Sequence, residues 1–290
     1  MDEVLQKVGA LSCFSNPHDV VKLGGGLTNI NLLVHDGGKK FVVRLGEDIP
    51  EHGVMRWNEL AISKAASVAG FSPEVIHSEK GVMVIGFIDG QTFTEADVRK
   101  PENLFRIVEM MGKAHREIGT CLTQPIVAFW PYHVNRSYIE RLALDGSVHQ
   151  KALPALRAQN NALEKATGPV DLVVGHNDLL AANIIDDGDR LWLIDWEYGG
   201  FNSPLFDLAG LASNNGLAED QERSMITQYF DSDADLHWRS FSALKCASLM
   251  RETLWSMTSE IHSEIKEDFG KYTYENMEKL KSALAEFGQI

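Results

Sequence analysis

The chain has 290 residues, of which 44% are hydrophobic and 23% are charged, so it can bury one large core or the cores of two lobes. Asp and Glu number 41 against 27 Lys and Arg, which gives a formal net charge of −14. So acidic a chain lacks the basic stripe that nucleic-acid binding requires, and anionic membrane surfaces would not attract it. We therefore expect no nucleic-acid partner, whereas small cations would be weakly attracted.

Cysteine usage and apolar runs indicate the compartment. Cys13, Cys121 and Cys246 are few, odd in number and far apart, which argues against a disulfide framework or a CxxC metal site. The N-terminus has no apolar segment of the kind found in signal peptides. The longest nearly apolar run, residues 82–88, is far shorter than the ~20 residues that span a bilayer. We expect a cytoplasmic protein without membrane insertion, and the oligomeric state stays open between monomer and homodimer.

The first predicted elements are two strands that form a hairpin. Leu23 leads into three glycines at 24–26, and β-rich runs follow at residues 30–35 and 40–45. Asp36-Gly37-Gly38 separates the two runs. Asp-Gly in this position is a strong hairpin signal, because the tight turn requires positive φ.

A helix and a second hairpin are predicted next. The apolar spacing of residues 54–69 indicates a helix, which Gly70 and Pro73 end. Residues 75–77 and 82–88 then predict two further strands around a glycine-containing turn. The first ninety residues therefore predict a small antiparallel sheet with one main helix.

After Asp89-Gly90 the pattern becomes mostly helical. Thr94 and Asp97 have the spacing of a capping box, with Asp in the place of Glu. The helical stretches are residues 103–118, 138–144, 147–166 and 219–287, and short strands are predicted at 172–174 and 190–194. We predict an α+β fold with two lobes, residues 1–88 and residues 89–290.

The most specific chemical signal is the stretch 174–183, Val-Gly-His-Asn-Asp-Leu-Leu-Ala-Ala-Asn, followed by Asp195. Asp178 and Asn183 lie five residues apart on one loop, and Asp195 ends an apolar strand that we expect beside that loop. Oxygen ligands of this kind bind Mg²⁺ together with substrate phosphates, which leaves Asp178 to accept a proton from a hydroxyl. This is the His-x-Asp-x₄-Asn and Asp layout of kinase-like phosphotransferases. Each residue alone is more often a cap or a turn residue, but the ordered set predicts phosphoryl transfer.

Two features of the N-terminal part agree with a nucleotide site. The glycine-rich stretch 24–29 fits a phosphate-binding turn, although it is not GxGxxG and a plain tight turn explains it equally well. Arg44 stands inside the apolar run 41–45, and such a charge is costly unless it is paired. Glu59 on the following helix is the natural partner, as in the strand-cation to helix-Glu pair of kinases. Arg replaces the usual Lys there, keeps its charge and binds phosphate bidentately.

Four sequence blocks together resemble the choline/ethanolamine kinase branch of the aminoglycoside-phosphotransferase-like superfamily. The blocks are Gly25-Gly26-Leu27-Thr28-Asn29, Arg56-Trp57-Asn58-Glu59, Gly175-His176-Asn177-Asp178-Leu179-Leu180 with Asn183, and Ile194-Asp195-Trp196-Glu197-Tyr198 with Asn202 and Phe206-Asp207-Leu208-Ala209. The resemblance extends over about residues 23–281. It implies a protein-kinase-like fold, ATP and Mg²⁺ as cofactors, and phosphorylation of a small cationic alcohol.

The resemblance also implies roles for single positions. The catalytic base falls on Asp178, and the metal ligands fall on Asn183 and Asp195. The cation that contacts the phosphates falls on Arg44, with Glu59 as its ion-pair partner. The remaining implied positions are Gly25, Gly26, Thr28, Asn29, Gly86 and Ile88 for nucleotide binding, the last two in the adenine-binding hinge, and His176 and Asp207 for bracing the catalytic loop.

The acceptor pocket depends on aromatic and acidic residues. A quaternary ammonium is held by aromatic faces and nearby carboxylates, and Tyr198 and Trp255 match aromatic positions of the choline pocket. Glu197 is expected beside them. Packing explains Trp130 and Tyr132 better than ligand binding does.

One position departs from the choline kinases. Where they tend to have a second tryptophan, three residues before Trp255, this chain has Glu252. A carboxylate can pair with a primary ammonium through charge-assisted hydrogen bonds. We therefore hypothesise that Glu252 helps to select among amines. Choline and ethanolamine are the expected acceptors.

Other acceptors and a non-catalytic role stay open. Thiamine and an aminoglycoside are alternative cationic acceptors, and the acidic balance of the chain does not separate them from an amino alcohol. A pseudokinase-like binding protein is the alternative outside enzymes. The complete set of residues argues against it, because pseudokinases usually lose at least one of Arg44, Glu59, Asp178, Asn183 and Asp195.

Overall fold

A five-stranded antiparallel sheet forms the first part of the computed structural model, which describes residues 2–24, 29–263, 265 and 267–289. The strands are β1 (His18–Lys22), β2 (Ile30–Asp36), β3 (Lys39–Leu45), β4 (Val75–Glu79) and β5 (Val82–Gly86). They lie in the order β1-β2-β3-β5-β4, and each neighbouring pair is antiparallel. The central strand β3 therefore places Arg44 between Asn31 of β2 and Met83 of β5.

Both predicted hairpins are present. Gly37 and Gly38 have φ of 55° and 77°, the positive values that the tight turn between β2 and β3 requires. The strand after the second turn ends at Gly86, two residues before the predicted end, and the chain then leaves the sheet. The hairpin signals thus located the turns better than the strand ends.

One face of the sheet packs in a small separate core. Alternating strand residues point into it together with residues from the N-terminal helix α1 (Asp2–Gly9) and the segment that follows. The buried members are Val8, Leu11, Leu32, Val34, Val43, Leu45, Val82 and Val84. The main helix α2 (Arg56–Val68) lies within the range predicted for it and buries Glu59, which is 2% exposed.

The second part is mostly helical, with one two-stranded and one three-stranded sheet of short strands. The helices are α3 (Glu95–Val98), α4 (Pro101–Glu117), α5 (Pro131–Leu144), α6 (Leu153–Thr167), α7 (Pro204–Asn215), α8 (Glu219–Phe230), α9 (Asp235–His262) and α10 (Phe269–Phe287). The strands are β6 (Gln91–Thr92), β7 (Val173–Gly175), β8 (Ile184–Asp186), β9 (Leu191–Leu193) and β10 (Gly200–Asn202). The long helix α9 packs against α5, α6, α7 and α10, so it forms the centre of this part.

Three predicted helical ranges differ from the structure. The helix predicted at 138–144 begins seven residues earlier, at Pro131, and the other two differ for local reasons. The helix predicted at 147–166 begins at Leu153, because Pro154 is accommodated in the first turn of α6. The range 219–287 contains three helices. The first of them, α8, ends where Asp231 adopts a left-handed conformation with φ of 49°.

The short strands position the loop between β7 and β8. β7 pairs with β10, and β8 pairs with β9 and β6. The loop from His176 to Asn183 is thereby fixed at both ends, and Asp195 follows β9 directly beside it. Within the described residues, no helix combines the length and the apolar character needed to cross a membrane. The division at residues 88 and 89 stays a prediction.

Candidate active site

A buried carboxylate holds the backbone of the loop that contains Asp178. Asp207 is 2% exposed and accepts hydrogen bonds from the backbone amides of His176 and Asn177, both at 2.7 Å. The Nε2–H of His115 donates to the same carboxylate at 2.9 Å. Burial alone would raise the pKa of Asp207, but the hydrogen bonds from His115 and the His176 amide hold it below its ordinary value. Asp207 is therefore a charged anchor for the loop.

The turn that presents Asp178 has an unusual backbone. Asn177 is in the left-handed region, with φ of 66°, which only Asn, Asp and Gly adopt readily. Its side-chain amide donates to the Tyr198 carbonyl at 2.9 Å, and its Oδ1 accepts from Asn202 at 2.9 Å. His176 donates from Nε2 to the Ile194 carbonyl at 2.8 Å, which ties the loop to the segment before Asp195. The strained turn is thus held from two sides.

Local hydrogen bonds connect Asn183 to Asp178 and to the segment before Asp195. The Nδ2 of Asn183 donates to the Asp178 carbonyl at 2.9 Å, and its backbone carbonyl accepts from the Ile194 amide at 3.0 Å. Asp195, with φ of 70°, follows immediately and directs its carboxylate towards Arg44. The loop therefore brings the predicted base and both predicted metal ligands to one place.

Arg44 of β3 lies at the centre of a buried ion-pair cluster. Its Nε is 3.1 Å from Glu59 Oε1. Its Nη2 is 2.6 Å from Asp195 Oδ1 and 3.2 Å from Glu197 Oε2. Burial alone would lower the pKa of Arg44, but the three carboxylates raise it above its ordinary value. The predicted Arg44–Glu59 pair is present, and the cluster joins the sheet to the segment after β9.

Arg56 extends this cluster with a second guanidinium. Its Nη1 is 2.7 Å from Glu59 Oε2 and 3.3 Å from Glu197 Oε2. Asn29, predicted as a nucleotide contact, donates to Glu197 at 3.1 Å. We expected Glu197 in the acceptor pocket, but the structure places it in this cluster. Burial and the neighbouring Asp195 raise the pKa of Glu197.

The cluster leaves an excess negative charge when all its groups are ionised. It contains two cations, Arg44 and Arg56, and three carboxylates, Glu59, Asp195 and Glu197. Hard oxygen donors with a net negative charge fit a Mg²⁺ ion, which usually binds through one or two protein ligands plus phosphates and waters. Asn183 and Asp195 would be those ligands.

A cleft of about 410 Å³ lies between the sheet and this loop. Its lining combines apolar residues of β3 and β5 with the polar residues of the loop. The lining includes Leu23, Gly24, Val42, Arg44, Ile85, Gly86, Ile88, Asn183 and Asp195. Gly86 and Ile88, the two predicted hinge residues, are therefore in the cleft. The predicted contacts Gly25, Gly26 and Thr28 lie outside the described residues.

A second buried guanidinium cluster lies on the other side of Asp178. Arg251 of α9 is 4% exposed, and its Nη1 is 3.1 Å from Asp178 Oδ1. The same nitrogen is 3.7 Å from Glu252 Oε2. The guanidinium carbon lies over the Tyr198 ring, 4.2 Å from the centroid. Burial alone would lower the pKa of Arg251, but Asp178 and the other acidic neighbours raise it.

Glu252 and Trp255 lie one turn apart on the same helix. Glu252 keeps 23% of its side chain exposed and accepts a hydrogen bond from the Tyr272 hydroxyl at 2.6 Å. Burial raises its pKa, whereas Arg251 acts in the opposite direction. Trp255 donates from Nε1 to the Tyr198 hydroxyl at 3.0 Å. Tyr198 and Glu252 therefore lie around Arg251, the partner of Asp178, and Trp255 is joined to them through the Tyr198 hydroxyl.

The ring of Trp255 already has a stacking partner. The His52 ring stacks on it at 4.9 Å between centroids, with an interplanar angle of 27°. The edges of Phe269 and Tyr272 also meet the indole. Trp130 and Tyr132, which packing was expected to explain, hydrogen-bond to residues of α6, and Tyr132 is fully buried.

Comparison with known proteins identifies the family. The model of the choline/ethanolamine kinase family matches residues 20–223. The chain belongs to the choline/ethanolamine kinase family. Its residues 20–223 include the loop, both predicted metal ligands and Asp207. The kinase is therefore a phosphotransferase with an alcohol group as acceptor.

This kinase is similar to proteins whose names include ethanolamine kinase and choline/ethanolamine kinase. The LicA protein of Haemophilus influenzae is 25% identical over 271 residues, which cover 90% of this chain and 79% of LicA. A probable ethanolamine kinase of Arabidopsis thaliana is 30% identical over 205 residues, 65% of this chain and 54% of that protein. The crystal structure of a choline/ethanolamine kinase family protein from Mesorhizobium loti has a TM-score of 0.79 at 26% identity, covering 98% and 94% of the two chains. These matches support an amino alcohol kinase, and they do not choose between choline and ethanolamine.

Sequence reasoning missed Arg251, the residue of α9 that contacts the predicted base, Asp178. The helix around it is almost entirely buried from Phe241 to Ser259. A charged residue in such a stretch implies a buried partner, because an unpaired charge there is costly. The sequence therefore indicates that Arg251 has a buried partner. It does not identify that partner as Asp178, which lies 73 residues earlier. The partners of His115, Asn177 and His52 were not predicted for the same reason, since only the fold sets them.

Proposed function

We propose that this kinase transfers the γ-phosphoryl group of Mg·ATP to the hydroxyl of a primary amino alcohol, with ethanolamine as the expected acceptor. The observation that carries the proposal is the position of Asp178 between two clusters. On one side are the predicted metal ligands and Arg44, and on the other is the partly exposed carboxylate of Glu252. An acceptor whose ammonium group binds Glu252 would therefore place its hydroxyl within reach of the base, Asp178.

The chemical step uses few protein groups. The acceptor oxygen forms a bond to the γ-phosphorus, and the bond from that phosphorus to the β,γ-bridging oxygen breaks, so ADP leaves. Asp178 orients the hydroxyl and takes its proton. Bound Mg²⁺ supplies charge neutralisation for the phosphates. Catalysis of this kind comes mainly from positioning and electrostatic stabilisation.

The nucleotide side contributes a fixed cation. Arg44 is held by Glu59 on one edge and by Asp195 and Glu197 on another. A guanidinium fixed in this way can meet an incoming phosphate without first being ordered, which lowers the entropic cost of binding. Arg44 also keeps the carboxylate of Asp195 beside Asn183.

Glu252 supports a primary over a quaternary ammonium. A quaternary ammonium cannot donate hydrogen bonds and relies on aromatic faces, and Trp255 is already stacked on His52. A primary ammonium can donate charge-assisted hydrogen bonds to Glu252, which retains partial exposure. The Tyr272 hydroxyl holds one oxygen of that carboxylate in place.

The test is a coupled assay of ADP release with Mg·ATP and four acceptors: ethanolamine, choline, thiamine and an aminoglycoside. We expect turnover with ethanolamine that exceeds turnover with choline and falls by about 10²–10⁴-fold in Asp178→Asn, the range for loss of a general base. Turnover confined to thiamine or the aminoglycoside would refute the amino alcohol assignment. ATP binding without turnover of any acceptor would indicate a pseudokinase.

A further inference from the structure

A protein cation already occupies the place beside Asp178 where an aromatic face and a carboxylate meet. The guanidinium of Arg251 is 4.2 Å from the Tyr198 ring centroid and 3.1 Å from Asp178 Oδ1. The ring of Phe129 lies 5.7 Å from the same guanidinium carbon. An aromatic face with a nearby carboxylate is the arrangement that binds organic cations.

The contacts of Arg251 show that it is held as a cation. Its Nε is buried and makes no hydrogen bond to any residue that the structure describes. The side chain is therefore fixed mainly by the ion pair to Asp178, the more distant Glu252 and the Tyr198 face. These are the interactions that an ammonium ligand would otherwise make.

We propose that Arg251 is a specificity-determining residue of the acceptor pocket, because its guanidinium covers the Tyr198 face and thereby excludes a quaternary ammonium. This inference rests on the proposed amino alcohol kinase function. A quaternary ammonium on Tyr198 would need to displace Arg251 or lie next to it, where like charges repel. Glu252 is then the carboxylate left for the acceptor, and a hydrogen-bonding ammonium is selected.

The charge balance agrees with this role. Asp178 and Glu252 contribute two negative charges when ionised, and Arg251 cancels one of them. One negative charge is left, which suits a monovalent ammonium. A neutral residue at position 251 would leave two carboxylates and an open Tyr198 face, which favours any compact organic cation.

The test measures kcat/KM for choline and for ethanolamine in the wild type, Arg251→Gln and Arg251→Lys. We expect the choline-to-ethanolamine ratio to rise by about tenfold in Arg251→Gln, in line with the strength of a cation–π contact. Arg251→Lys keeps a cation and is expected to retain the preference of the wild type. KM for ATP is expected to stay unchanged in both variants, which a general loss of structure would not allow.

Arg223 offers a matched control. Its guanidinium carbon lies 4.0 Å from the centroid of the Trp238 ring, and it pairs with Glu219 and Asp235 at 2.8 and 2.7 Å, outside the candidate site. Arg223→Gln removes the same kinds of contact and should leave the acceptor ratio unchanged. An unchanged ratio in active Arg251→Gln, or an equal rise in both Arg251 variants, would overturn the inference alone. Absence of amino alcohol turnover by the wild type would remove the proposed function and this inference with it.

A measurement on the wild type keeps the inference testable if the variants do not fold. Ethylammonium and tetramethylammonium are compared as inhibitors of ethanolamine turnover at fixed Mg·ATP. Inhibition by ethylammonium without inhibition by tetramethylammonium is the expected result. Equal inhibition by the two ions would contradict a covered aromatic face.

Discussion

Two guanidinium clusters flank Asp178, and they differ in how they are assembled. The nucleotide-side cluster joins Arg44 of β3 to Asp195, which follows β9, so it depends on contact between the sheet and the helical part. The acceptor-side cluster joins Arg251 to Asp178 within the helical part alone. The first cluster therefore spans both parts of the molecule, whereas the Arg251–Asp178 pair lies within one.

The charges of the two clusters are related to the ligand that each is expected to bind. Each cluster has one negative charge in excess when its named groups are ionised. On the nucleotide side, hard oxygen donors suit Mg²⁺. On the acceptor side, the partly exposed Glu252 suits an ammonium that donates hydrogen bonds.

Of the two clusters, the nucleotide-side one is expected to give the larger effect when a charge is removed. Asp195→Asn removes a predicted metal ligand and the 2.6 Å partner of Arg44. We expect kcat to fall on the order of 10²–10³-fold, as when one preorganised electrostatic group is lost, and KM for Mg·ATP to rise. Steady-state kinetics over a range of Mg²⁺ concentrations measures both. Asp187→Asn, on the turn between β8 and β9, is the matched control, and full activity in Asp195→Asn would refute the assignment.

A smaller effect is expected from the acceptor side. Glu252→Gln keeps a hydrogen-bond acceptor for Tyr272 but removes the charge. Loss of a charged hydrogen bond costs ~1.5–3 kcal/mol, so KM for ethanolamine should rise about 10–100-fold while KM for ATP stays the same. Glu260→Gln, two turns along α9, is the control. A rise in KM for ATP instead would show that Glu252 acts on nucleotide binding and not on acceptor binding.

Lowering the pH is expected to reduce the stability of the folded protein through His52, which packs on the acceptor side. This residue stacks on Trp255 and hydrogen-bonds to Tyr138, and burial lowers its pKa from 6.5 to about 4, with Arg251 adding to the effect. The unfolded state therefore binds the proton more tightly, so stability falls as the pH drops from about 6.5 towards 4.

The size of this effect can be measured by urea unfolding. Between pH 7.5 and pH 5 the wild type should lose about 2 kcal/mol through His52, as follows from the two pKa values. The His52→Asn variant should not lose these ~2 kcal/mol of unfolding free energy. A variant with the exposed His18 substituted should lose as much as the wild type. An identical pH dependence in the wild type and His52→Asn would show that His52 does not titrate in this way.

The smallest expected effect concerns the bond between Trp255 and Tyr198. Trp255→Phe removes the Nε1–H that donates to the Tyr198 hydroxyl at 3.0 Å. We expect a loss of about 1 kcal/mol in the free energy of unfolding from this hydrogen bond and only a few-fold rise in KM for the acceptor. Trp238→Phe serves as the control for kinetics. A loss of turnover as large as that of Asp195→Asn would mean that Trp255 has a role in the chemistry.

Much of the nucleotide side could be predicted because its residues occur in motifs of fixed spacing. Asp178, Asn183 and Asp195 lie within 18 residues of one another, and local hydrogen bonds bring them together. Asp36-Gly37-Gly38 located the hairpin of β2 and β3 for an equally local reason.

The acceptor side could not be predicted to the same extent. Arg251 reaches Asp178 only because the packing of α9 turns that face of the helix to the loop, and no spacing encodes the contact. The contacts of Glu197 with Arg44 and Arg56 were not predicted, because its neighbours in the chain, Asp195 and Tyr198, belong to different clusters. The break between α9 and α10 was also missed, although Asp268, which caps α10 through the Lys271 amide, is a local signal.

Competition between the two amino alcohols, followed by ³¹P NMR, tests the preference for ethanolamine most directly. The wild-type kinase is mixed with Mg·ATP and equal concentrations of ethanolamine and choline, and the two phosphomonoester resonances are integrated at early times. We expect phosphoethanolamine to accumulate first. Dominant phosphocholine would contradict the role given to Glu252 and Arg251, and release of inorganic phosphate alone would contradict the amino alcohol kinase itself.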